Sequence, residues 1–88
     1  MIIETFHPGK VQALYQRFEE QGRLLPERVR YVNSWIDEDF TRCFQVMECD
    51  DPALLEEWIS HWADFADFEI IPVLTSAQAR EIVKSRRL

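Results

Sequence analysis

Few side chains in this sequence can move a proton near neutral pH. His7 and His61 are its two histidines, and imidazole titrates near neutrality, so each is a candidate general base or acid. His7 opens the turn signal His7-Pro8-Gly9-Lys10; there it either faces a pocket mouth or is merely solvated ahead of a helix. His61 stands one step off a tryptophan stripe, on the flank of a helix. Glu4 and Glu48 interrupt apolar strands. If buried, desolvation would raise their pKa and fit them for proton transfer. Arg28, Arg30 and Arg42 on the adjoining hairpin offer a competing role as cross-strand ion-pair partners, and that pairing is the expectation. Asn33, between Tyr31 and Trp35 on the same strand, would orient a ligand or else face solvent near a sheet edge. His7, Asn33, Glu48 and His61 are thus the candidate catalytic groups, but they complete no catalytic constellation.

A metal site on His7 and His61 would need a carboxylate such as Glu48 or Asp64 in fixed geometry. The helical pair of histidines four apart that marks zinc is absent, so neither metal nor cofactor is expected. Cys43 and Cys49 are six residues apart. On one strand that is roughly 20 Å at about 3.3 Å per residue, beyond the reach of a disulfide. They read as thiols of a reducing compartment. Cys49 precedes a helix start, but Asp50 and Asp51 beside it oppose a reactive thiolate. Tyr31, Trp35, Trp58 and Trp62 are the candidate ligand-binding wall for a flat organic molecule. Trp58 and Trp62, four apart on one helix face, also fit plain core packing.

The elements that must position these groups follow from periodicity. Met1 to Phe6 reads as a strand broken by Glu4, and Pro8 is placed at the first position of a helix. Val11, Leu14, Tyr15 and Phe18 recur as one helical face, which Gly22 ends. Arg28 to Ile36 alternates as a strand, with Val29, Tyr31, Asn33 and Trp35 on one side. The acidic triplet Asp37-Glu38-Asp39 turns the chain into a second strand, Phe40 to Cys49, although the Asn-Gly or Asp-Gly of a strong hairpin is missing. Asp50-Asp51-Pro52 is a helix start, and Leu54, Leu55, Trp58, Ile59 and Trp62 form its apolar stripe. Phe68 to Leu74 is a last strand in which Pro72 cannot donate to a ladder, so it lies at an edge or leaves the sheet there. Thr75-Ser76-Ala77-Gln78 fits a capping box opening a short final helix to about Ser85. The order βαββαβα in a single domain over residues 1–88 predicts an α+β, ferredoxin-like fold with an antiparallel sheet in the strand order 4-1-3-2.

Charge and hydropathy exclude several classes. Sixteen acidic residues against ten basic ones give a net charge of −6, which disfavours nucleic acid and anionic membrane as partners. The basic cluster Lys84 to Arg87 suits a helix carboxyl end better than a phosphate grip. No stretch approaches the roughly 20 apolar residues of a membrane span, and the first residues lack a secretory signal pattern, so a cytoplasmic location is expected.

The strands carry large apolar groups on both faces: Phe40, Phe44 and Val46 against Cys43 and Met47, and Ile70 against Ile71. Two helices cover only one face, so a homodimer that buries the other is expected.

The run Glu48-Cys49-Asp50-Asp51-Pro52, followed by Trp58-Ile59-Ser60-His61-Trp62-Ala63-Asp64 and by Asp67-Phe68-Glu69-Ile70-Ile71-Pro72-Val73, resembles the small bacterial proteins grouped as domain of unknown function 3303. The resemblance implies a fold in the dimeric α/β-barrel superfamily, in which two ferredoxin-like sheets pack face to face. Its relatives include cofactor-independent monooxygenases, muconolactone isomerases, haem-degrading enzymes and chlorite dismutase-like proteins. The Asn, Trp and His set of the haem-degrading branch has no match here, and the resemblance carries over no catalytic residue. The functional expectation is a dimer that binds a small, partly apolar molecule or a protein partner. The alternative is a metal-independent monooxygenase or isomerase of a small organic substrate.

Overall fold

In the computed structural model, which describes residues 1–86, strand β1 (Ile2–Phe6) runs through the middle of a four-stranded sheet. Its neighbours are β3 (Arg42–Glu48), with Ile2 opposite Gln45 and Glu4 opposite Cys43, and β4 (Ala66–Ile70), with Ile2 opposite Ile70 and Phe6 opposite Ala66. Strand β2 (Arg30–Ile36) pairs with the far side of β3. All pairings are antiparallel and the order is β2-β3-β1-β4, the ferredoxin-like arrangement expected from the element order.

Helices α1 (Val11–Gln21) and α2 (Pro52–Ser60) cover one face of the sheet. The buried core joins Ile2 and Phe6 of β1 and Ala66 of β4 to Leu14 of α1, Leu55 and Trp58 of α2, and Val29 and Trp62 of the connecting segments. The Trp58 and Phe68 rings meet edge to face at 5.4 Å, a geometry that adds to their area burial. Helix α3 (Ser76–Arg86) contributes no buried residue. Its start is the expected capping box: the Thr75 N–H donates to Gln78 Oε1 at 2.9 Å, and the Gln78 N–H to Thr75 Oγ1 at 3.0 Å. Lys84 and Arg86 lie in its last turn, and Arg87 falls outside the described residues.

Local chemistry moved several boundaries. Pro8 does not open α1. It occupies a turn closed by the Lys10 N–H on the His7 carbonyl at 3.1 Å, with Gly9 at φ 73°; proline followed by a left-handed glycine is the signature of a type II turn. The β2–β3 loop, lacking Asn-Gly, is organised by Asp37. Its carboxylate accepts from the Thr41 N–H at 2.8 Å, the Thr41 hydroxyl at 2.6 Å and the Arg42 N–H at 3.1 Å. Phe40 there takes φ 57°, so it belongs to the loop and β3 begins at Arg42. Strand β4 starts earlier than expected, at Ala66, and ends at Ile70. The Ile71 N–H still reaches the Met1 carbonyl at 2.7 Å, and the chain leaves the sheet at Pro72, which has no donor to offer.

A bulge between Tyr31 and Asn33 changes the faces of β2. The strict alternation expected from sequence puts Tyr31, Asn33 and Trp35 together. With the inserted residue, Tyr31 pairs with Met47 and stays on the helix side, while Asn33 and Trp35 lie opposite Val46 and Phe44 on the open face.

Candidate functional site

A cavity of about 200 Å³ opens between the sheet and the helices. The strands supply its floor: Glu4 and Phe6 from β1, Cys43 and Gln45 from β3, and Ser34 from β2. Leu14, Tyr15 and Phe18 from α1 form one wall, Trp58 and Trp62 the other, and Arg23 stands in the connector after Gly22. The connector is held from the α2 side, since both indole N–H groups donate to the Arg23 carbonyl, Trp58 at 2.9 Å and Trp62 at 3.1 Å. Trp62 lies beyond the end of α2 in the following turns, so a shared acceptor rather than a shared helix face aligns the two indoles.

Glu4 dominates the chemistry of this cavity. Its side chain alternates with Ile2 and Phe6 on the covered face and is only 4% exposed. Gln45 Nε2 donates to Glu4 Oε1 at 3.1 Å, and no arginine among the described residues pairs with it. Burial penalises the carboxylate more than this hydrogen bond stabilises it, and the Glu4 pKa is pushed up to about 7. The same environment acts on its neighbours. Burial, reinforced by the nearby Glu4, pushes the Cys43 thiol up to about 12. Burial likewise raises the Tyr15 phenol, with Cys43 and Glu4 adding to it. The cavity therefore holds one group that titrates near neutrality beside two that stay protonated.

The Arg23 guanidinium stacks on the Tyr31 ring at 3.6 Å and faces the Phe18 ring at 4.9 Å. The Tyr31 hydroxyl is hydrogen-bonded to the Ser34 hydroxyl at 2.5 Å. Every buried side-chain nitrogen and oxygen among the described residues has a partner, so the polar lining is preorganised rather than strained.

The four candidate catalytic residues lie elsewhere. His7, just past β1, latches onto β4 and the turn before it: its Nε2 meets Asp67 Oδ1 of β4 at 2.9 Å and its Nδ1 the Asp64 carbonyl of the turn at 3.3 Å. The Asp67 hydrogen bond raises its pKa. His61 closes α2 and is exposed; its carbonyl accepts from Arg17 at 2.7 Å, while the Arg17 guanidinium grips Asp64 at 2.8 and 3.0 Å. That contact lowers the Asp64 pKa and raises that of Arg17. Glu48 takes the structural role expected of it, bonded to Arg30 at 2.8 and 3.1 Å, and borders a separate depression with Met1, Cys49 and Val73. Asn33 is exposed and accepts from the Ser34 N–H at 2.8 Å. Of the aromatic wall, Trp58 and Trp62 line the cavity and Tyr31 borders it through Arg23 and Ser34. Trp35 does not: it is 54% exposed on the opposite face of the sheet.

The sequence reading assigned Glu4 to an arginine pair and missed Tyr15, Arg23 and Gln45. For Glu4 a signal existed, because Ile2, Glu4 and Phe6 alternate and so must share a face. Nothing in the sequence marks Arg23, whose placement depends on the two indoles. Among the described residues no three His, Cys, Asp or Glu side chains are grouped to hold a metal ion, and no helix is long and apolar enough to cross a membrane.

No curated protein and no solved structure matches the chain. A family model described as a domain of unknown function, DUF3303, matches residues 1–87. With nearly the whole chain covered, and with the sheet, the paired indoles and the strand before Pro72 all inside the match, the chain belongs to the DUF3303 family.

Proposed function

We propose that this protein is a homodimeric binder of a small, partly apolar molecule, held in the cavity between sheet and helices. The observation that carries this is the cavity itself: about 200 Å³, walled by Tyr15, Phe18, Trp58 and Trp62, with the buried Glu4 and Gln45 on its floor. Natural pockets combine such an apolar wall with a few convergent polar groups. An apolar cavity of about 150 Å³ suffices for benzene, so the size fits one ring with small substituents. The experiment is indole fluorescence and protein NMR during titration with single-ring aromatics. Saturable shifts at Trp58, Trp62 and Tyr15 support the reading, and an unresponsive cavity refutes it.

Dimerisation in the manner of a dimeric α/β barrel is proposed from the uncovered face of the sheet. Ile3, Phe44 and Val46 lie there with Trp35, the first three half-buried and Trp35 exposed, opposite the face that carries the core. A four-stranded face measures on the order of 20 by 20 Å, about half of the roughly 800 Å² each partner buries in a stable complex. The exposed Val73, Leu74 and Val83 of the C-terminal arm offer a matching apolar supplement. The Cα radius of gyration is 15.1 Å, against about 12 Å for a compact chain of this length, so the chain is more extended than a single packed core demands. Sedimentation equilibrium should give a dimer that Phe44→Asp dissociates; a monomer at micromolar concentration refutes it.

One observation favours a second reading, a metal-independent isomerase. Glu4, with a pKa of about 7, is suited to take a proton from a bound substrate and return it to a neighbouring carbon. Deuterium uptake from heavy water into a small unsaturated acid, lost in Glu4→Gln, would support it; no exchange above the buffer rate would remove it. The monooxygenase alternative gains no comparable observation.

A further inference from the structure

The arginines that precede α3 divide into two kinds. Arg17, Arg28, Arg30 and Arg42 each face a carboxylate, at 2.8, 3.9, 2.8 and 3.6 Å. Arg23, in a chain with six more acidic than basic residues, has no carboxylate partner among the described residues. Its guanidinium is instead clamped on the Tyr31 and Phe18 rings, its carbonyl is tied down by two indoles, and it lines the cavity. A half-buried, immobilised guanidinium keeps its charge and presents a planar fork that matches a carboxylate. It is neither hydrogen-bonded nor ion-paired to Glu4, so the cavity has two separate polar stations joined by an aromatic wall.

We infer that the ligand is a planar organic monoanion, a single-ring aromatic or conjugated carboxylate whose carboxylate meets Arg23, whose ring lies along Trp58, Trp62 and Tyr15, and whose other end lies against Glu4. This rests on the cavity reading above and narrows it to a chemical class. The volume admits one ring. The polar groups that line the cavity with Glu4 are Cys43 and Gln45 of β3, Ser34 of β2, Tyr15 of α1 and Arg23 of the connector; on β4 the apolar Phe68 stands opposite Glu4, and α2 contributes the Trp58 indole to the wall. Cys43 and Tyr15 remain neutral to well above pH 8. Arg23 is the fixed charge of the cavity, and Glu4 is the group left to answer a second negative charge by holding a proton. Anion binding above neutral pH must then be accompanied by proton uptake.

The test is calorimetric titration of the intact protein with sodium benzoate and, as the neutral isostere, benzyl alcohol. Benzoate should bind at least about tenfold tighter than the alcohol, the range of one charge-assisted contact. Arg23→Met, which keeps the stem over the rings, should lose that preference while retaining the alcohol. Arg23→Lys should keep part of it and serves if the Met variant fails to fold. At pH 8, titrations in buffers of different ionisation heat should report uptake of up to one proton, absent in Glu4→Gln. Equal affinity for the two probes, or unchanged benzoate binding in both Arg23 variants, overturns the inference while leaving the cavity reading intact. Benzoate binding without proton uptake overturns the Glu4 part, and failure of both probes to bind removes both readings together.

Discussion

Replacing Glu4 by glutamine isolates the cost of placing a carboxyl group on the covered face of the sheet. The substitution keeps the shape and the oxygen that accepts from Gln45, at 3.1 Å in the native protein, and removes the ionisation. In the folded chain the Glu4 pKa lies at about 7, against an ordinary 4.5. Between those values the unfolded chain has released the proton while the folded chain keeps it, so stability falls as pH rises. The contribution is complete below about pH 4.5 and lost above about pH 7. At about 1.36 kcal/mol per pH unit the interval amounts to about 3 kcal/mol, a large fraction of the stability of a domain this small. Urea unfolding of both proteins at one fixed concentration, from pH 4 to 8.5, measures it. His7, whose raised pKa also makes stability fall as pH rises, is present in both and cancels in the difference. The stability of the variant relative to wild type should climb by about 3 kcal/mol across that range. Parallel curves would show that Glu4 is solvated in the folded protein and would refute the account of the cavity floor.

The indole pair offers a graded test: Trp58→Phe removes one donor from the Arg23 carbonyl and should cost about 1 kcal/mol in urea unfolding, whereas Trp58→Ala also opens the core and should cost about 3 to 5 kcal/mol. The Asp37 carboxyl, held at a pKa of about 2 by its bonds to Thr41 and Arg42, stabilises the hairpin above its ordinary value of 3.8 and stops doing so as pH falls through about 2. Asp37→Ala should therefore be less stable at pH 7 and lack that acid-dependent loss in a thermal scan. The Cys43 thiol, pushed up to about 12 by burial, should stay unalkylated by iodoacetamide at pH 8 in the native protein and react after unfolding, as read by peptide mass spectrometry.

The sequence by itself determined the order of elements and most of the caps, because each depends on residues close together in the chain, and the strand order followed from the topology that this element order allows. Asp51 accepts from the Ala53 N–H at 3.0 Å, Gly22 closes α1 through the Phe18 carbonyl at 2.8 Å, and Thr75 and Gln78 cap α3; all are short-range bonds between residue types with strong positional preferences. Pro72 likewise announced where the last strand had to end. The two faces of β3 were legible too, Phe44 and Val46 against Cys43 and Met47, since period-two alternation records which side chains share a face, whereas Phe40 fell in the loop and Ile71 beyond the end of β4.

The site was not legible, because its members meet only through tertiary packing. The bulge at Tyr31 to Asn33 reversed the face of Tyr31 relative to Trp35, and one inserted residue does that without a mark in the composition. His7 and Glu48 carried the right chemistry for catalysis, yet the fold gave them Asp67 and Arg30 as partners. Glu4 looked like an interruption of a strand; only the closure of α1 and α2 over β1 took it out of water and made it the group that titrates near neutrality. Desolvation belongs to the assembled protein, and so does the isolation of the Arg23 charge. The fold could be read from local preferences, while the chemistry of the cavity was decided by what the folded chain brought together and what it shut out.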